Sequence, residues 1–245
     1  MIGPVGWSGA SGENAGFVAI AMTETKQPQA LTPEEFQKAA DVSRETMDRL
    51  ERYADCLRRW NRATNLVARN SLADLWRRHM LDSAQLLPLL PDPPAGRPRV
   101  IVDLGSGAGF PGLVLAILGA GAVHLVEAHG KKVAFLREAA RVADTPVTLH
   151  NDRIEELRPF PADVVTARAC APLPRLLDYA APFLRPWPGA RSGGTGLFHR
   201  GRGFDRELTD ARKKWNIGVE LMPSLTDPTA RILRLKLLTL VDDKS

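Results

Sequence analysis

A short apolar run opens directly into a glycine-rich turn at Arg99-Val-Ile-Val-Asp-Leu-Gly-Ser-Gly-Ala-Gly-Phe-Pro-Gly112. The pattern predicts a buried strand followed by a turn that holds a ligand, because glycines without a Cβ atom let the backbone approach a bound molecule. A helix over 113–118 is expected to direct its free N–H groups toward the same place. The spacing is G-x-G-x-G from Gly105, and Phe110 stands where a dinucleotide-binding fingerprint has its third glycine. We therefore predict a nucleotide-like cofactor that is not a dinucleotide.

A second acidic residue supports the same interpretation. Residues 122–127 form another short apolar run, and its last residue, Glu127, follows Gly105 by 22 positions. A carboxylate about 20 residues beyond the first glycine is typical of binding to ribose hydroxyls. The alternative is a solvated acid at the end of a strand. We expect Glu127 to bind the ribose of the cofactor.

Length and composition limit the class of protein. The chain has 245 residues, of which 44% are hydrophobic, so it can bury a substantial core. No apolar run approaches the length of about 20 residues that a membrane span needs, and the first residues lack the basic start of a secretory signal. Cys56 and Cys170 have no metal-ligand spacing around them. We expect a cytoplasmic, monomeric protein with reduced cysteines that binds neither a membrane nor a metal.

Hydrophobic periodicity divides the chain into three parts. Residues 1–30 are predicted to be a disordered extension. Residues 31–94 have helical periodicity and are predicted to form a helical cap that ends in a proline-rich linker. In residues 95–245 strand-like and helical segments alternate, which predicts a doubly wound, parallel α/β sheet. The last two strand-like runs, 218–226 and 230–240, are joined by three residues and must form an antiparallel hairpin, which gives seven strands.

Basic residues are concentrated in three segments, and the chain has a formal net charge of +5. Any one of these segments is compatible with an ordinary solvated face. Three of them flanking one cofactor site favour an anionic partner such as RNA. The segments are Arg58 to Arg78, Lys131 to Arg141, and Arg191 to Lys214.

Several motifs together resemble the ribosomal RNA small subunit methyltransferase G family, once called glucose-inhibited division protein B. They are Trp60-Asn61 with Asn65-Leu66, Arg78-His79-Met80-Leu81-Asp82-Ser83, Val102 to Gly112, Glu127 with Gly130 to Leu136, Arg153 to Glu156, and Ala167-Arg168-Ala169. The resemblance covers about residues 55–210 in order. It implies the class I S-adenosylmethionine-dependent methyltransferase fold, S-adenosylmethionine as cofactor, and methylation of N7 of one guanine in 16S rRNA. The implied partner is 16S rRNA or the small ribosomal subunit particle.

The resemblance implies cofactor contacts at Gly105, Phe110, Ile154, Glu155 and Arg168. Gly105 would allow close approach to the methionine part, and Phe110 would form a wall of the pocket. Ile154 and Glu155 would meet the adenine edge, with Asp152 as an alternative partner of the adenine amine. A solvated first helical turn is a second explanation for Glu155. Arg168 would hold the cofactor carboxylate or an RNA phosphate, or form a salt bridge to a neighbouring acid.

No catalytic residue is predicted. Guanine N7 has a free lone pair and no proton to lose, so methyl transfer needs positioning rather than a general base. His79 and Asp82 are expected to link the cap to the sheet. Two alternatives remain, a methyltransferase for a small molecule or protein and a non-catalytic RNA-binding module that retains the fold. Phe110 and the terminal hairpin disfavour a dehydrogenase.

Overall fold

The computed structural model describes residues 30–186 and 193–241, so nearly all of the predicted extension 1–30 lies outside the described residues. The α-helices within these ranges are α1 (Pro33–Ala40), α2 (Arg44–Asn61), α3 (Arg69–Leu72), α4 (Asp82–Ala84), α5 (Gly112–Ile117), α6 (Gly130–Val142), α7 (Leu173–Leu184) and α8 (Phe204–Ala211). A π-helical segment, Trp76–Leu81, precedes α4, and a 3-10 turn, Leu87–Leu89, follows it. Among the described helices, none combines the length and apolar character needed to cross a membrane.

The strands of the described chain form one seven-stranded sheet. They are β1 (Val100–Leu104), β2 (Ala122–Val126), β3 (Thr148–His150), β4 (Val164–Arg168), β5 (Thr195–Arg200), β6 (Trp215–Pro223) and β7 (Arg231–Leu240). Their order is β3-β2-β1-β4-β5-β7-β6, with β1 to β5 parallel and β7 antiparallel to β5 and β6. The predicted doubly wound sheet with a terminal hairpin is thus confirmed, although β6 begins and ends three residues earlier than the predicted run 218–226. The chain order reverses between β1 and β4, and open α/β sheets bind ligands outside the carboxyl ends of the strands at such a point.

Both faces of the sheet are covered by helices. Neighbouring residues in a strand point to opposite faces. Ile101 packs into the hydrophobic cluster that contains the cap, α5 and α6, whereas Val102 packs into the cluster that contains α7 and α8. Val164 and Val165 in β4 divide in the same way. Double coverage explains why these strands are nearly continuous apolar runs instead of alternating patterns.

The N-terminal helices share one hydrophobic core with the sheet. α1 begins at a capping box, in which the Thr32 hydroxyl accepts from the Glu35 N–H and the Glu35 carboxylate accepts from the Thr32 N–H. In α2 the buried ring of Tyr53 lies 6.4 Å from the ring of Phe135 in α6. The Tyr53 hydroxyl also donates to the carbonyl oxygen of Ala108 in the glycine-rich turn. The cap therefore holds the turn in place as well as covering the sheet.

Candidate functional site

The buried carboxylate of Asp103 braces the turn that follows β1. Its Oδ1 accepts from the Thr166 hydroxyl of β4 at 2.8 Å, and its Oδ2 accepts from the Gly112 N–H of α5 at 3.2 Å. The Ser106 hydroxyl donates to the Asp103 carbonyl oxygen at 2.9 Å. Burial raises the pKa of Asp103 to about 6. Because Asp103 is wholly buried, it organises the strand ends and presents no surface to a ligand.

The glycines of the turn are required for different reasons. A Cβ atom on Gly112 would lie 2.5 Å from Leu125 Cδ2, so this glycine lets α5 pack closely on the sheet. Gly105 has a φ of +67°, and a Cβ atom there would lie 2.7 Å from Cys170 Sγ in the loop after β4. Gly107 has a φ of +56° and faces open space, with Gly105 O as the nearest described atom at 3.8 Å. The positive φ and the close approach of Cys170 together favour glycine at position 105, whereas Gly107 presents its backbone to the open part of the site.

Glu127 lies beside this turn, directly after β2. Its Oε2 accepts from the Gly107 N–H and its Oε1 accepts from the His129 N–H, each at 2.9 Å. A carboxylate has about four acceptor positions, so two remain for the hydroxyls of a ligand. The Asn151 amide donates to the Glu127 carbonyl oxygen at 3.3 Å, which holds the turn after β3 beside the same site.

The turn after β3 contains the residues expected near adenine. Ile154 is half-buried and packs against the cluster that contains α7. Glu155 Oε1 accepts from the Tyr179 hydroxyl at 2.7 Å and from Arg175 Nη2 at 3.1 Å. Hydrogen bonding, above all from Tyr179, lowers the pKa of Glu155 to about 2. Asp152 is exposed and makes no hydrogen bond with a described residue. Of the two carboxylates, it is therefore the one that has no protein hydrogen bond to give up to a ligand.

Arg168, at the carboxyl end of β4, connects the cap to the glycine-rich turn. Its Nη1 donates to Asp82 Oδ2 at 3.1 Å and to the Arg78 carbonyl oxygen at 3.0 Å, and its Nη2 lies 2.7 Å from His79 Nδ1. Its guanidinium carbon lies 5.0 Å from the centre of the Phe110 ring. That ring is 3% exposed and stacks on the His79 ring at 4.7 Å. The expectation that His79 and Asp82 link the cap to the sheet is confirmed, with Arg168 as the link.

The protonation of His79 follows from its partners. A guanidinium only donates, so Nδ1 of His79 accepts from Arg168 and the ring proton lies on Nε2, which is 2.9 Å from Ser71 Oγ. Burial and the charge of Arg168 lower the pKa of His79 to about 3. His79 is therefore neutral near pH 7 with both nitrogens engaged, and it is not placed to act as a base.

A cleft of about 480 Å³ opens at the carboxyl ends of β4 and β5. Arg168 belongs to its wall and also contacts Phe110, so the cleft and the glycine-rich turn share a boundary. Five arginines and four carboxylates line the cleft: Arg77, Arg78, Arg168, Arg200, Arg202, Asp74, Asp82, Glu207 and Asp227. Two of the basic segments recognised in the sequence contribute four of these arginines.

The comparison with protein families decides the assignment. The protein-family model described as rRNA small subunit methyltransferase G matches residues 46–230 of this chain. The chain belongs to this family. The Ribosomal RNA small subunit methyltransferase G of Rhodospirillum rubrum is 56% identical over 205 residues, which span 84% of this chain and 97% of the relative. The Paramagnetospirillum magneticum protein of the same description is 55% identical over 206 residues, or 84% and 96% of the two chains.

A solved structure agrees on the fold. A candidate O-methyltransferase from Klebsiella pneumoniae has a TM-score of 0.53 at 15% identity, covering 86% of this chain and 98% of that one. The expected methyltransferase sheet is therefore present in this family member.

The basic segment Lys131 to Arg141 and the first two arginines of the segment Arg58 to Arg78 lie on a different surface. α6 packs against α2, and both helices carry exposed cations that do not line the cleft. These are Arg58, Arg59, Lys131, Arg137 and Arg141. Two of them are already in surface ion pairs, Arg58 with Asp55 and Arg141 with Glu138, and such exposed pairs contribute little stability.

Sequence reasoning missed residues that hold the site from behind. Thr166 is a buried hydroxyl within the apolar strand β4, and Tyr53 is a buried phenol within the apolar stripe of α2. A single polar residue in an otherwise buried run indicates that a hydrogen-bond partner is close. That signal was present in the sequence for both residues, although it does not identify Asp103 or Ala108 as the partner.

Replacing Asp103 with Asn is expected to change how stability depends on pH. The folded-state pKa of about 6 exceeds the unfolded value of about 3.9, so the folded protein binds more protons between these values. The contribution of Asp103 to stability is present below about pH 4 and is lost as the pH rises through about 6. The unfolding free energy of the wild type relative to Asp103→Asn should fall by about 2–3 kcal/mol from pH 4 to 7, as measured by urea unfolding.

Titratable groups that both proteins share contribute equally to the two unfolding free energies, so their contributions cancel in the difference. A difference that stays constant across this range would mean that the buried carboxyl titrates as it does in the unfolded chain.

Proposed function

We propose that the chain transfers a methyl group from S-adenosylmethionine to N7 of a guanine in 16S rRNA, presented as free rRNA or in the small ribosomal subunit particle. Family membership supports rRNA methylation. The observation that carries the cofactor site is the Glu127 carboxylate held at 2.9 Å from the Gly107 N–H beside an open turn. We further propose that the enzyme acts in the cytoplasm as a monomer and without a metal.

The described residues fit this cofactor. Glu127 would accept from both ribose hydroxyls with its two remaining acceptor positions. Gly107 leaves room for the ligand, and buried Phe110 supports the turn from behind. The turn after β3 would face adenine, where Asp152 is an alternative to Glu155 because the Glu155 carboxylate already binds Tyr179.

The remaining part of the cofactor would lie between Gly105 and the end of β4. Arg168 is near this position, but its Nη atoms are directed to the cap. We therefore assign Arg168 first to holding Phe110 and the cap, and second to any attraction of the cofactor carboxylate.

The target atom explains the chemistry that the site requires. S-adenosylmethionine supplies a methyl group that an uncharged lone pair can attack. Guanine N7 offers such a lone pair without losing a proton, so the protein contributes alignment and exclusion of water. N7 lies in the deep groove of A-form RNA, which side chains cannot reach, so an unpaired or flipped guanine is the expected substrate. The cleft at the ends of β4 and β5 is the proposed place for it.

Glu127→Gln should weaken S-adenosylmethionine binding at least 10-fold in isothermal titration calorimetry. The amide nitrogen cannot accept a hydrogen bond, so one of the two backbone N–H groups or the ribose loses its acceptor. Glu156→Gln is the matched control, because Glu156 is an exposed acid in the neighbouring turn and should bind the cofactor as the wild type does. Unchanged affinity in folded Glu127→Gln would remove Glu127 from the site.

Small ribosomal subunits from a strain that lacks the enzyme should gain one 7-methylguanosine in 16S rRNA when they are incubated with the protein and S-adenosylmethionine. Nucleoside mass spectrometry gives the product, and cleavage mapping at 7-methylguanosine gives its position. Naked 16S rRNA is the parallel substrate. Transfer to another atom would exclude N7, and transfer only to a protein or small molecule would favour the alternative methyltransferase.

Single-turnover methyl transfer at saturating substrates should vary little between about pH 7 and 9. The pKa of His79 is lowered to about 3, so this residue stays neutral throughout, and N7 needs no base. His79→Gln should reduce stability or binding more than the chemical step. A 10-fold rise in rate per pH unit that disappears in a folded His79→Gln variant would show that a base operates.

A further inference from the structure

Arg200, the last residue of β5, carries a buried guanidinium with two unused donors. Its side chain is 8% exposed and belongs to the lining of the cleft. Its Nη1 donates to the Ala171 carbonyl oxygen at 2.8 Å and lies 3.6 Å from Glu207 Oε2. Its Nε and Nη2 have no hydrogen-bond partner among the residues that the structure describes. One end of the guanidinium is therefore fixed, and the opposite edge is buried and unpaired.

The unpaired edge has a defined shape. Nε and Nη2 lie side by side in the plane of the guanidinium and donate in nearly parallel directions. This fork matches two oxygens of a phosphate or a carboxylate. Buried donors of a charged group are unfavourable when they stay unpaired, so a ligand of the cleft is the expected partner.

The charges of the cleft favour an anion. Three of its four carboxylates lie within 4.0 Å of an arginine, and the fourth, Asp227, accepts from Thr229. Arg78 and Arg202 are exposed on the same cleft, and their side chains are in no ion pair with a described residue. A negatively charged ligand of the cleft would thus meet two exposed cations beside the buried, unpaired edge of Arg200.

We propose that Arg200 binds a phosphate of the RNA backbone next to the methylated guanine, with Nε and Nη2 donating to its two non-bridging oxygens. The inference rests on the proposed RNA substrate. The other common bidentate partner of arginine is the O6 and N7 edge of guanine. That contact would block N7, the proposed methyl acceptor, so it is excluded from the productive complex.

The fixed end of the Arg200 guanidinium is connected to the glycine-rich turn through the loop after β4. Nη1 holds Ala171 in the loop after β4, and Cys170 of this loop packs against Gly105. Glu207 accepts from the Leu173 N–H at 2.8 Å and holds the end of the same loop. Arg200 is therefore also a positioning residue, which sets the distance between the bound phosphate and the glycine-rich turn.

A direct test follows the Nε–H resonance of Arg200 by ¹⁵N NMR, assigned by its absence in Arg200→Lys. Inorganic phosphate, and then a single-stranded RNA that contains the target sequence, should shift this resonance. Arg206 provides the control resonance, because it is exposed on α8 and does not line the cleft. A shift at Arg78 or Arg202 with none at Arg200 would overturn the proposal.

A second test replaces single phosphates near the target guanine by neutral methylphosphonates. At one position the wild type should lose about 10-fold in affinity, as expected for a charged hydrogen bond. Arg200→Gln should bind normal RNA about 10-fold more weakly and lose nothing further at that position. Arg200→Lys keeps the charge but not the fork and should lie between the two, and Arg206→Gln should behave as the wild type.

The controls separate this proposal from the proposed function. A lysine can still donate one hydrogen bond to the Ala171 carbonyl oxygen but cannot form the fork. S-adenosylmethionine affinity should therefore change less than 3-fold in Arg200→Lys, and a loss confined to RNA points to the phosphate. If Arg200→Gln and every methylphosphonate lowered RNA affinity by equal and additive amounts, the proposed contact would be wrong. The affinity of the wild-type protein for each modified RNA can be measured even if a variant does not fold, and no loss at any position would also contradict the contact. If the wild type transfers no methyl group to rRNA, the proposed function fails, whereas the titration with inorganic phosphate still decides whether Arg200 is an anion site.

Discussion

The ion pair between Arg168 and Asp82 is the contact on which the arrangement of the site depends. Both side chains are largely buried, at 20% and 14% exposure, and removing either partner would leave an uncompensated charge in a region of low dielectric. Asp82 also accepts from the Thr226 hydroxyl at 2.6 Å. One carboxylate therefore holds the cap against β4 and against the turn between β6 and β7. Arg168 in turn packs on the ring of Phe110.

This arrangement separates two electrostatic environments across a short distance. On the side of β2, the Glu127 carboxyl group accepts from two backbone N–H groups, and in the proposed function it would face the nucleoside of the cofactor. On the side of β5, the carboxylates are engaged in ion pairs or short local hydrogen bonds, and arginines remain for an anionic polymer. In the proposed function, a ligand of each charge would lie on its own side of the junction between β1 and β4.

The parts that could be predicted from the sequence are those set by local spacing. Glu127 lies where the interval from Gly105 places it, and the alternation of apolar runs predicts the sheet. The contact of Arg168 with Asp82 joins residues 86 positions apart, and no local pattern specifies it. Arg200 belongs to a basic segment typical of a solvated face, yet its side chain is only 8% exposed and lies against Ala171 of the loop after β4 and Glu207 of α8. Such outcomes depend on which strands become neighbours.

The hydrogen bonds and ion pairs of the titratable groups agree with a target atom that needs no general base. Asp103 is buried in a network of hydroxyl and N–H donors, His79 is neutral with both nitrogens engaged, and Asp82 is paired. A reaction that removes a proton would need an acceptor with a pKa near neutrality facing the substrate. Burial raises the pKa of Asp103 to about 6, but its carboxylate faces Thr166 and Gly112 instead. These groups thus stabilise a rigid arrangement, and alignment of a lone pair with a methyl group requires such rigidity.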